Sequence, residues 1–126
     1  MKIIRFKELK FVPASHEDPQ APGVFKKVLF KKGDLIKGEI PMINWCQLGV
    51  GQSFQAHYHE SMEEIYIILK GKALIKIDNE KEKLGKGDAV IIPIGKIHTM
   101  KNIGNKQVKY IALGIVSAKS GKTVVV

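Results

Sequence analysis

Apolar side chains occur along most of this chain in short runs, or in alternation with polar ones, and turn-forming residues separate the runs. Isoleucine, valine, phenylalanine and tyrosine dominate the runs, with glycine, asparagine, aspartate and proline between them, which is typical of β-strands joined by turns. No window shows apolar residues at sustained helical spacing. The pattern predicts an all-β sandwich or barrel. The candidate strands are FKKVLF (25–30), IKGEIPMINWCQL (36–48), EIYIILKGKALIKID (64–78), GDAVIIP (87–93), HTMKNIG (98–104) and KQVKYIALGIV (106–116).

The two ends of the chain carry weaker strand signals. At the N-terminus we expect a strand over residues 2–11, followed by a loop from Pro13 to Gly23 whose three prolines keep it out of a sheet interior. At the C-terminus, GKTVVV (121–126) is apolar enough to require burial. We expect it either to finish an edge strand or to pair with a second subunit, because an unpaired apolar edge promotes aggregation.

The length of 126 residues suits one domain with a single core. We therefore predict a single domain over 1–126, with the N-terminal strand and loop at 1–23 and a barrel core at about 40–117. No apolar run reaches the ~18 residues of a membrane-spanning helix, which predicts a soluble protein with no membrane partner. The charged N-terminus lacks the apolar stretch of a secretory signal, and the single cysteine, Cys46, cannot form an internal disulfide. Both features favour a cytoplasmic location.

The formal net charge of +9 raises the question of a nucleic-acid partner. The basic residues are spread over the whole length, however, and Arg5 is the only arginine. Because arginine makes the bidentate contacts to phosphate and guanine, its near absence argues against nucleic acid. A lysine-rich surface in contact with solvent explains the charge, and attraction of an anionic small substrate is the remaining alternative.

Three of the four histidines, together with one glutamate, form a candidate metal site. His57 and His59 are two residues apart, so in an extended strand both point to the same side. With His98 and Glu64 they offer ligands for one divalent transition metal per chain, namely iron, manganese, nickel, zinc, cobalt or copper. Because no cysteine lies among them, we expect an open site with roughly two free positions rather than a closed structural zinc site. The alternative is a set of hydrogen-bonded pocket residues without a metal.

The spacing of these residues and of the neighbouring glycines carries a family resemblance. Residues 51–71 read G-x5-H-x-H-x4-E-x6-G, and residues 87–102 read G-x5-P-x-G-x2-H-x3-N. These patterns match the first and second cupin motifs, so the chain resembles a small single-domain cupin over 51–102. The resemblance implies a double-stranded β-helix (jelly-roll) barrel with His57, His59, Glu64 and His98 as metal ligands. It also implies a homodimer.

Strand alternation extends the inward-facing set beyond the predicted ligands. It places Gln55 with the histidine pair, Tyr66 with Glu64, and Met100 with His98. Gln55, Tyr66 and Met100 are therefore candidates for a substrate pocket, with simple core packing as the alternative for each.

Four further residues are weaker candidates for the site, namely Glu63, Trp45, Cys46 and His16. Glu63 lies at the shorter permitted motif spacing and is an alternative ligand, but the interval to the following glycine favours its neighbour Glu64. Trp45 and Cys46 are adjacent, so only one of them faces the cavity, and we expect Cys46 to be a small buried residue. His16, in the proline-rich loop, is expected to be exposed and without function.

Because one scaffold carries unrelated activities, the fold does not choose among them. Our first hypothesis is a metal-dependent protein acting on a small polar molecule, in its specific form an oxygenase-type, dioxygenase-like metalloenzyme. The alternatives are a cupin-type sugar or sugar-phosphate isomerase and a non-enzymatic small-molecule binding protein. The sequence indicates no organic cofactor and, except for Tyr66 and Glu63, no general acid or base beyond the ligands. It leaves open whether the protein is an enzyme.

Overall fold

Almost all the regular structure of the chain is β-strand, as a computed structural model that describes residues 1–23, 25–31, 33–117 and 121–126 shows. One 3-10 helix (Phe6–Glu8) follows the first strand, and no α-helix occurs in these ranges. The all-β prediction is confirmed. The strands in chain order are β1 (Lys2–Ile4), β2 (Val12–Pro13), β3 (Phe25–Lys26), β4 (Glu39–Leu48), β5 (His57–His59), β6 (Met62–Lys70), β7 (Ala73–Ile77), β8 (Glu80–Leu84), β9 (Ala89–Ile92), β10 (His98–Asn102), β11 (Val108–Val116) and β12 (Thr123–Val125).

The strands assemble into two five-stranded antiparallel sheets and one two-stranded ladder. The first sheet has the order β1-β9-β6-β11-β4, the second has the order β12-β5-β10-β7-β8, and β2 pairs with β3. Both sheets contribute to one buried cluster, which combines Tyr66 and Val90 of the first sheet with Ile75 and Met100 of the second. This is the predicted double-stranded β-helix, or jelly-roll, fold.

Strand β10 shows how alternation builds the interior. His98, Met100 and Asn102 are buried, whereas Thr99 and Lys101 between them are not. Because successive residues of a strand point to opposite faces, one apolar and two polar side chains of β10 enter the core. The polar ones lie at the two ends of the strand.

Two tight turns connect β6, β7 and β8, the first leading from one sheet to the other and the second joining two paired strands. Gly71, between β6 and β7, has a φ of 94°, and a Cβ there would lie 3.0 Å from the Val108 Cα. Asp78, between β7 and β8, has a φ of 50°, which aspartate tolerates better than most residues. These turns leave β7 paired with β8 on one side and with β10 on the other.

The N-terminal strand is shorter than predicted, and the expectation of a strand over residues 2–11 is wrong beyond Ile4. Arg5 turns the chain there because its guanidinium donates to the Asp88 carboxylate at 3.0 Å. The amide of Phe6 donates to the same carboxylate at 3.3 Å. Contacts distant in sequence therefore override the local strand preference.

The predicted strand over residues 25–30 is also wrong in most of its length, since only β3 remains of it. Lys27 leaves the ladder because its ammonium lies 3.8 Å from the centre of the Phe6 ring and donates to the Phe6 carbonyl at 2.8 Å. Phe30 packs instead against an apolar cluster of Ile65, Ile91 and Ile115 on the outer face of the first sheet.

The C-terminal segment forms β12, which pairs with β5 of the same chain. The segment was expected either to finish an edge strand or to pair with a second subunit, and in the structure it forms an edge strand. The division into a single domain over 1–126 with a core at about 40–117 stays a prediction. Among the described residues, no helix has the length and apolar character that a membrane crossing requires.

Candidate metal centre

Three strands bring the four predicted ligands together at one end of the interior. β5 carries His57 and His59, β6 carries Glu64 and β10 carries His98. His98 and His57 are direct partners in the β5–β10 ladder. One potential ligand atom from each residue lies within 4.8 Å of those of the other three. We refer to these four residues as the histidine–glutamate cluster; Glu64 and His98 are buried in it, and the other two are partly buried.

Backbone carbonyls orient two of the imidazole rings. Nδ1 of His57 lies 2.7 Å from the Gln55 carbonyl, and Nδ1 of His98 lies 2.9 Å from the Lys96 carbonyl. Because a carbonyl oxygen only accepts hydrogen bonds, each Nδ1 carries the hydrogen and the neutral ring has its lone pair on Nε2. A ligating histidine usually has such a partner on its outer nitrogen.

The Glu64 carboxylate oxygen Oε1 connects the other two ring nitrogens. It lies 2.8 Å from Nε2 of His59 and 3.1 Å from Nε2 of His98. In the neutral His98 ring, the lone pair of Nε2 would face a lone pair of the carboxylate, and two acceptors repel each other. The contact is favourable when a proton or a metal cation is shared between the two atoms. The donor set therefore fits a divalent cation.

The same contacts determine the ionisation of Glu64. Burial by itself would raise its pKa, but the hydrogen bonds and positive charge of His59 and His98 outweigh burial and lower the pKa to about 2. Glu64 is thus an anion at any physiological pH. A buried carboxylate among three imidazoles is a donor set that suits several transition metals.

Aromatic rings form one wall of the histidine–glutamate cluster. The ring centre of Phe54 lies 5.4 Å from that of His57, 6.1 Å from that of His98 and 6.2 Å from that of Tyr66. The Tyr66 hydroxyl donates to Glu64 Oε1 at 3.3 Å. Burial, reinforced by the Glu64 charge, raises the pKa of Tyr66 well above its ordinary value, so its hydroxyl stays a neutral donor.

The structure separates the three predicted pocket residues. Tyr66 borders the histidine–glutamate cluster, whereas Met100 is fully buried in the core between the sheets. Gln55 precedes β5 and its side chain is exposed, so only its carbonyl contributes to the site. The expected alternation fails at Gln55 because the strand begins only at His57.

Phe54 borders the cluster without having been predicted from the sequence. Its signal was a large apolar side chain between glycine and histidine in an otherwise small or polar stretch, GQSFQAH. The hydroxyl of Thr99 donates to the Phe54 carbonyl at 2.7 Å and so anchors this stretch to β10.

The remaining residues considered from the sequence lie outside the histidine–glutamate cluster. They are Glu63, Trp45, Cys46 and His16. Glu63 points to the opposite face of β6 and accepts a hydrogen bond from the Ile36 amide at 3.1 Å, so it is separated from the other candidate ligands. Cys46 packs against the core while Trp45 is exposed, and burial raises the pKa of the Cys46 thiol. His16 is exposed, as expected.

Two concavities differ in their relation to these residues. A small one of about 120 Å³ opens beside His59 and is bordered by Lys122 and Thr123. A larger one of about 650 Å³ lies beyond the other end of β10, between Lys72 and Lys106. Of these two, the small one touches the histidine–glutamate cluster, and a further concavity of about 100 Å³ touches it at His98. Concavities of this size suit a small ligand.

Comparison with known proteins agrees with this architecture. A protein of Methanocaldococcus jannaschii whose function is uncharacterised is 35% identical over 115 residues, covering 86% of this chain and 83% of that protein. A mannose-1-phosphate guanylyltransferase of Escherichia coli is 32% identical over 73 residues, which are 58% of this chain but only 14% of the enzyme. A crystal structure of a sugar phosphate isomerase from Silicibacter pomeroyi superimposes with a TM-score of 0.55 at 20% identity, covering 60% of this chain and 50% of that one.

The family model described as a cupin domain matches residues 44–114, which include all four members of the histidine–glutamate cluster. This range starts within β4 and ends within β11, so it contains the central strands of both sheets. The chain belongs to the cupin domain family.

Proposed function

We propose that this cupin domain holds one divalent transition metal with His57, His59, Glu64 and His98 and acts there on a small polar molecule. The observation that carries the proposal is the convergence of three imidazoles and a carboxylate within 4.8 Å. The contact between Glu64 and His98 in this set requires a proton or a cation between the two side chains. When bound, such a metal supplies a Lewis acid and, if redox-active, a centre for electron transfer to a ligand at its open positions.

The specific form that we propose is an oxygenase-type enzyme. Phe54 lies against His57 and His98 and gives that side of the cluster an apolar wall. Tyr66 places a neutral hydroxyl on Glu64 and so restrains the carboxylate. An apolar wall next to rigidly held ligands suits oxidation chemistry that bulk water would interrupt.

A second candidate is action on a sugar phosphate, by isomerisation or by binding alone. It is favoured by the 32% identity to a mannose-1-phosphate guanylyltransferase. Lys122 borders the small concavity beside His59 and offers a positive charge to an anionic ligand. Arg5 is engaged by Glu82 and Asp88, so phosphate contacts would come from lysines, which bind phosphate as point charges rather than bidentately.

The metal content of the purified protein tests the metal centre. The protein is purified without oxygen from cells supplied equally with iron, manganese, nickel and zinc, beside the double variant His59→Ala, His98→Ala. We expect about one metal per chain in the wild type and a loss of metal in a variant that circular dichroism shows to be folded. Little metal in the wild type, even after reconstitution, would refute the proposal and leave a barrel that binds its ligand by hydrogen bonds and packing.

Dioxygen uptake separates the candidate activities. Fe(II)-loaded protein is tested against vicinal diols, diketones, thiols and sugar phosphates. Uptake that depends on the added compound and disappears in His57→Ala supports the oxygenase. Interconversion of sugar phosphates without uptake supports the isomerase, and binding of a compound without turnover supports a binding protein.

A homodimer is also part of the proposal. Ile40, Ile43 and Trp45 are exposed on β4, the edge strand of the first sheet. Exposed apolar side chains on a sheet edge favour association with another chain. Analytical ultracentrifugation tests this, with Trp45→Lys expected to shift the protein towards the monomer. The predicted cytoplasmic location stays a prediction.

A further inference from the structure

The C-terminal strand lies against the strand that carries two histidines of the cluster. β12 pairs with β5 in antiparallel register, with Thr123 opposite His59 and Val125 opposite His57. The last residues of the described chain therefore run directly behind the candidate metal centre.

Backbone hydrogen bonds extend this ladder beyond both ends of β5. The Glu60 amide donates to the Lys122 carbonyl at 2.9 Å, and the Val126 amide donates to the Ala56 carbonyl at 3.0 Å. On its other side, β5 pairs with β10 at a single position. Within the described part of the chain, β12 thus makes the longer of the two ladders that hold β5 in place.

Thr123 also reaches the histidine–glutamate cluster with its side chain. Its Oγ1 lies 2.8 Å from Nδ1 of His59, while Nε2 of the same ring lies 2.8 Å from Glu64 Oε1. His57 and His98 have carbonyls on their Nδ1 atoms that come from two residues earlier in the chain. The support of His59 comes from 64 residues away, so it exists only when β12 is docked.

We propose that Thr123 is a positioning residue: its hydroxyl holds the His59 ring with Nε2 pointing into the cluster, which couples docking of β12 to metal binding. The coupling rests on the proposed metal centre. Partners on the outer nitrogen of a ligating histidine typically change metal affinity by about 10–100-fold. Thr123 is exposed, so removing its hydroxyl leaves no buried unsatisfied group and has little effect on folding. Water that reaches His59 in its place is not fixed to β12 and does not hold the ring in one orientation.

Matched variants at one position test the role of the hydroxyl. Thr123→Val keeps the shape and removes the hydroxyl, and Thr123→Ser keeps the hydroxyl. Val125→Ala changes an exposed side chain of the same strand that lies opposite His57 rather than His59. Co(II) and Zn(II) affinities are measured by chelator competition. We expect a loss of about 10–100-fold for Thr123→Val, recovery in Thr123→Ser and wild-type affinity in Val125→Ala, with similar thermal unfolding for all three metal-free proteins.

A second measurement needs no metal. Long-range 1H–15N NMR spectra of the metal-free protein report Nδ1 and Nε2 of each histidine ring. We expect Thr123→Val to move the His59 nitrogen signals and to leave those of His57 and His98 in place. If the wild type bound no metal, the metal centre would be refuted, while these spectra would still decide whether Thr123 holds His59.

Thermodynamic linkage gives a reciprocal test of the coupling. If docking of β12 raises metal affinity, metal must stabilise docked β12 by the same factor. We expect Zn(II) to slow hydrogen exchange of the Val126 amide by about tenfold or more in the wild type and to have no such effect in Thr123→Val. Wild-type affinity in Thr123→Val, or an equal loss in Thr123→Ser and Thr123→Val, would overturn the proposal.

Discussion

His98 and Asn102, at the two ends of β10, are both only 1% exposed, yet they meet the requirement for buried hydrogen bonds in different ways. Asn102 donates its two amide hydrogens to the carbonyls of Leu48 at 3.0 Å and Lys106 at 2.8 Å. Its oxygen accepts the Gly104 amide at 2.9 Å. Every donor at this end therefore has an acceptor in the same chain.

At the His98 end, donors and acceptors of the chain are not matched in this way. His98 donates from Nδ1 to the Lys96 carbonyl, and its Nε2 lies 3.1 Å from the Glu64 carboxylate. Two acceptors face each other there unless a positive charge is present. The hydrogen bonds of Asn102 are complete within the chain and stabilise the fold. Those of His98 need an added proton or cation. Substitutions at the two ends should therefore affect different properties of the protein.

The largest effect is expected on stability at the Asn102 end. Asn102→Asp keeps the size of the side chain but removes both donors, which places carboxylate oxygens against the carbonyls of Leu48 and Lys106. We expect the free energy of unfolding to fall by about 4–5 kcal/mol, measured by urea denaturation at neutral pH.

The control is metal affinity, which should stay at the wild-type value in the folded fraction of Asn102→Asp because Asn102 touches none of the candidate ligands. A stability loss below about 1 kcal/mol would contradict the view that its hydrogen bonds support the fold.

The converse substitution, of a carboxylate by an amide at the His98 end of β10, should lower metal affinity. Glu64→Gln keeps the size of the side chain and replaces an anionic ligand with a neutral one. We expect affinity for Zn(II) to fall by about 100- to 1,000-fold, equivalent to about 3–4 kcal/mol, measured by chelator competition. At neutral pH the metal-free variant should lose less stability than Asn102→Asp. Equal affinity in the wild type and Glu64→Gln would show that Glu64 is not a ligand.

Acid should distinguish the two ends in the metal-free protein. The pKa of Glu64 is lowered to about 2 from 4.5, because hydrogen bonds and charge from His59 and His98 outweigh the opposing effect of burial. A lowered pKa gives stability that is present above pH 4.5 and is lost as the pH falls towards about 2. We expect the stability advantage of wild type over Glu64→Gln to shrink by about 3 kcal/mol between pH 5 and pH 2.

The Asn102 end provides the control for that titration. Asn102 has no ionisable group, so the stability difference between wild type and Asn102→Ala should not change over the same pH range. Parallel curves for Glu64→Gln and wild type would contradict the assigned ion pairing of Glu64.

The fold was predictable where strands carry their own signal. Apolar runs, alternation and turn residues located β4, β6, β7, β9, β10 and β11. Strands β7, β10 and β11 alternate buried with less buried residues, whereas β9 is buried throughout. The segments 5–11 and 27–30 were mispredicted for a shared reason. Arg5 and Lys27 make contacts with Asp88 and Phe6, and local propensity contains no information about such partners.

The site was predictable to the same extent. The spacing of His57, His59, Glu64 and His98, which matches the cupin motifs, predicted their convergence. His57 and His98 are neighbours on paired strands, and Glu64 faces them from the other sheet. The motif spacing did not predict that Phe54 and Thr123 contact the cluster. Phe54 lies in a stretch without regular structure, and the contact of Thr123 with His59 depends on the pairing of β12 with β5.

Tyr66→Phe should give the smallest effect and the finest test of the comparison. The Tyr66 hydroxyl donates to Glu64 Oε1 at 3.3 Å, and Glu64 keeps its contacts with two histidines when that hydroxyl is removed. We expect about 1 kcal/mol to be lost, as a roughly fivefold lower Zn(II) affinity with unchanged stability of the metal-free protein. Tyr110→Phe is the matched control, since that ring packs 5.1 Å from Tyr66 but makes no hydrogen bond to Glu64 among the described contacts. If stability falls and metal affinity does not, the Tyr66 hydroxyl supports the architecture as Asn102 does. If affinity falls and stability does not, the Tyr66 hydroxyl acts in metal binding, as His98 does.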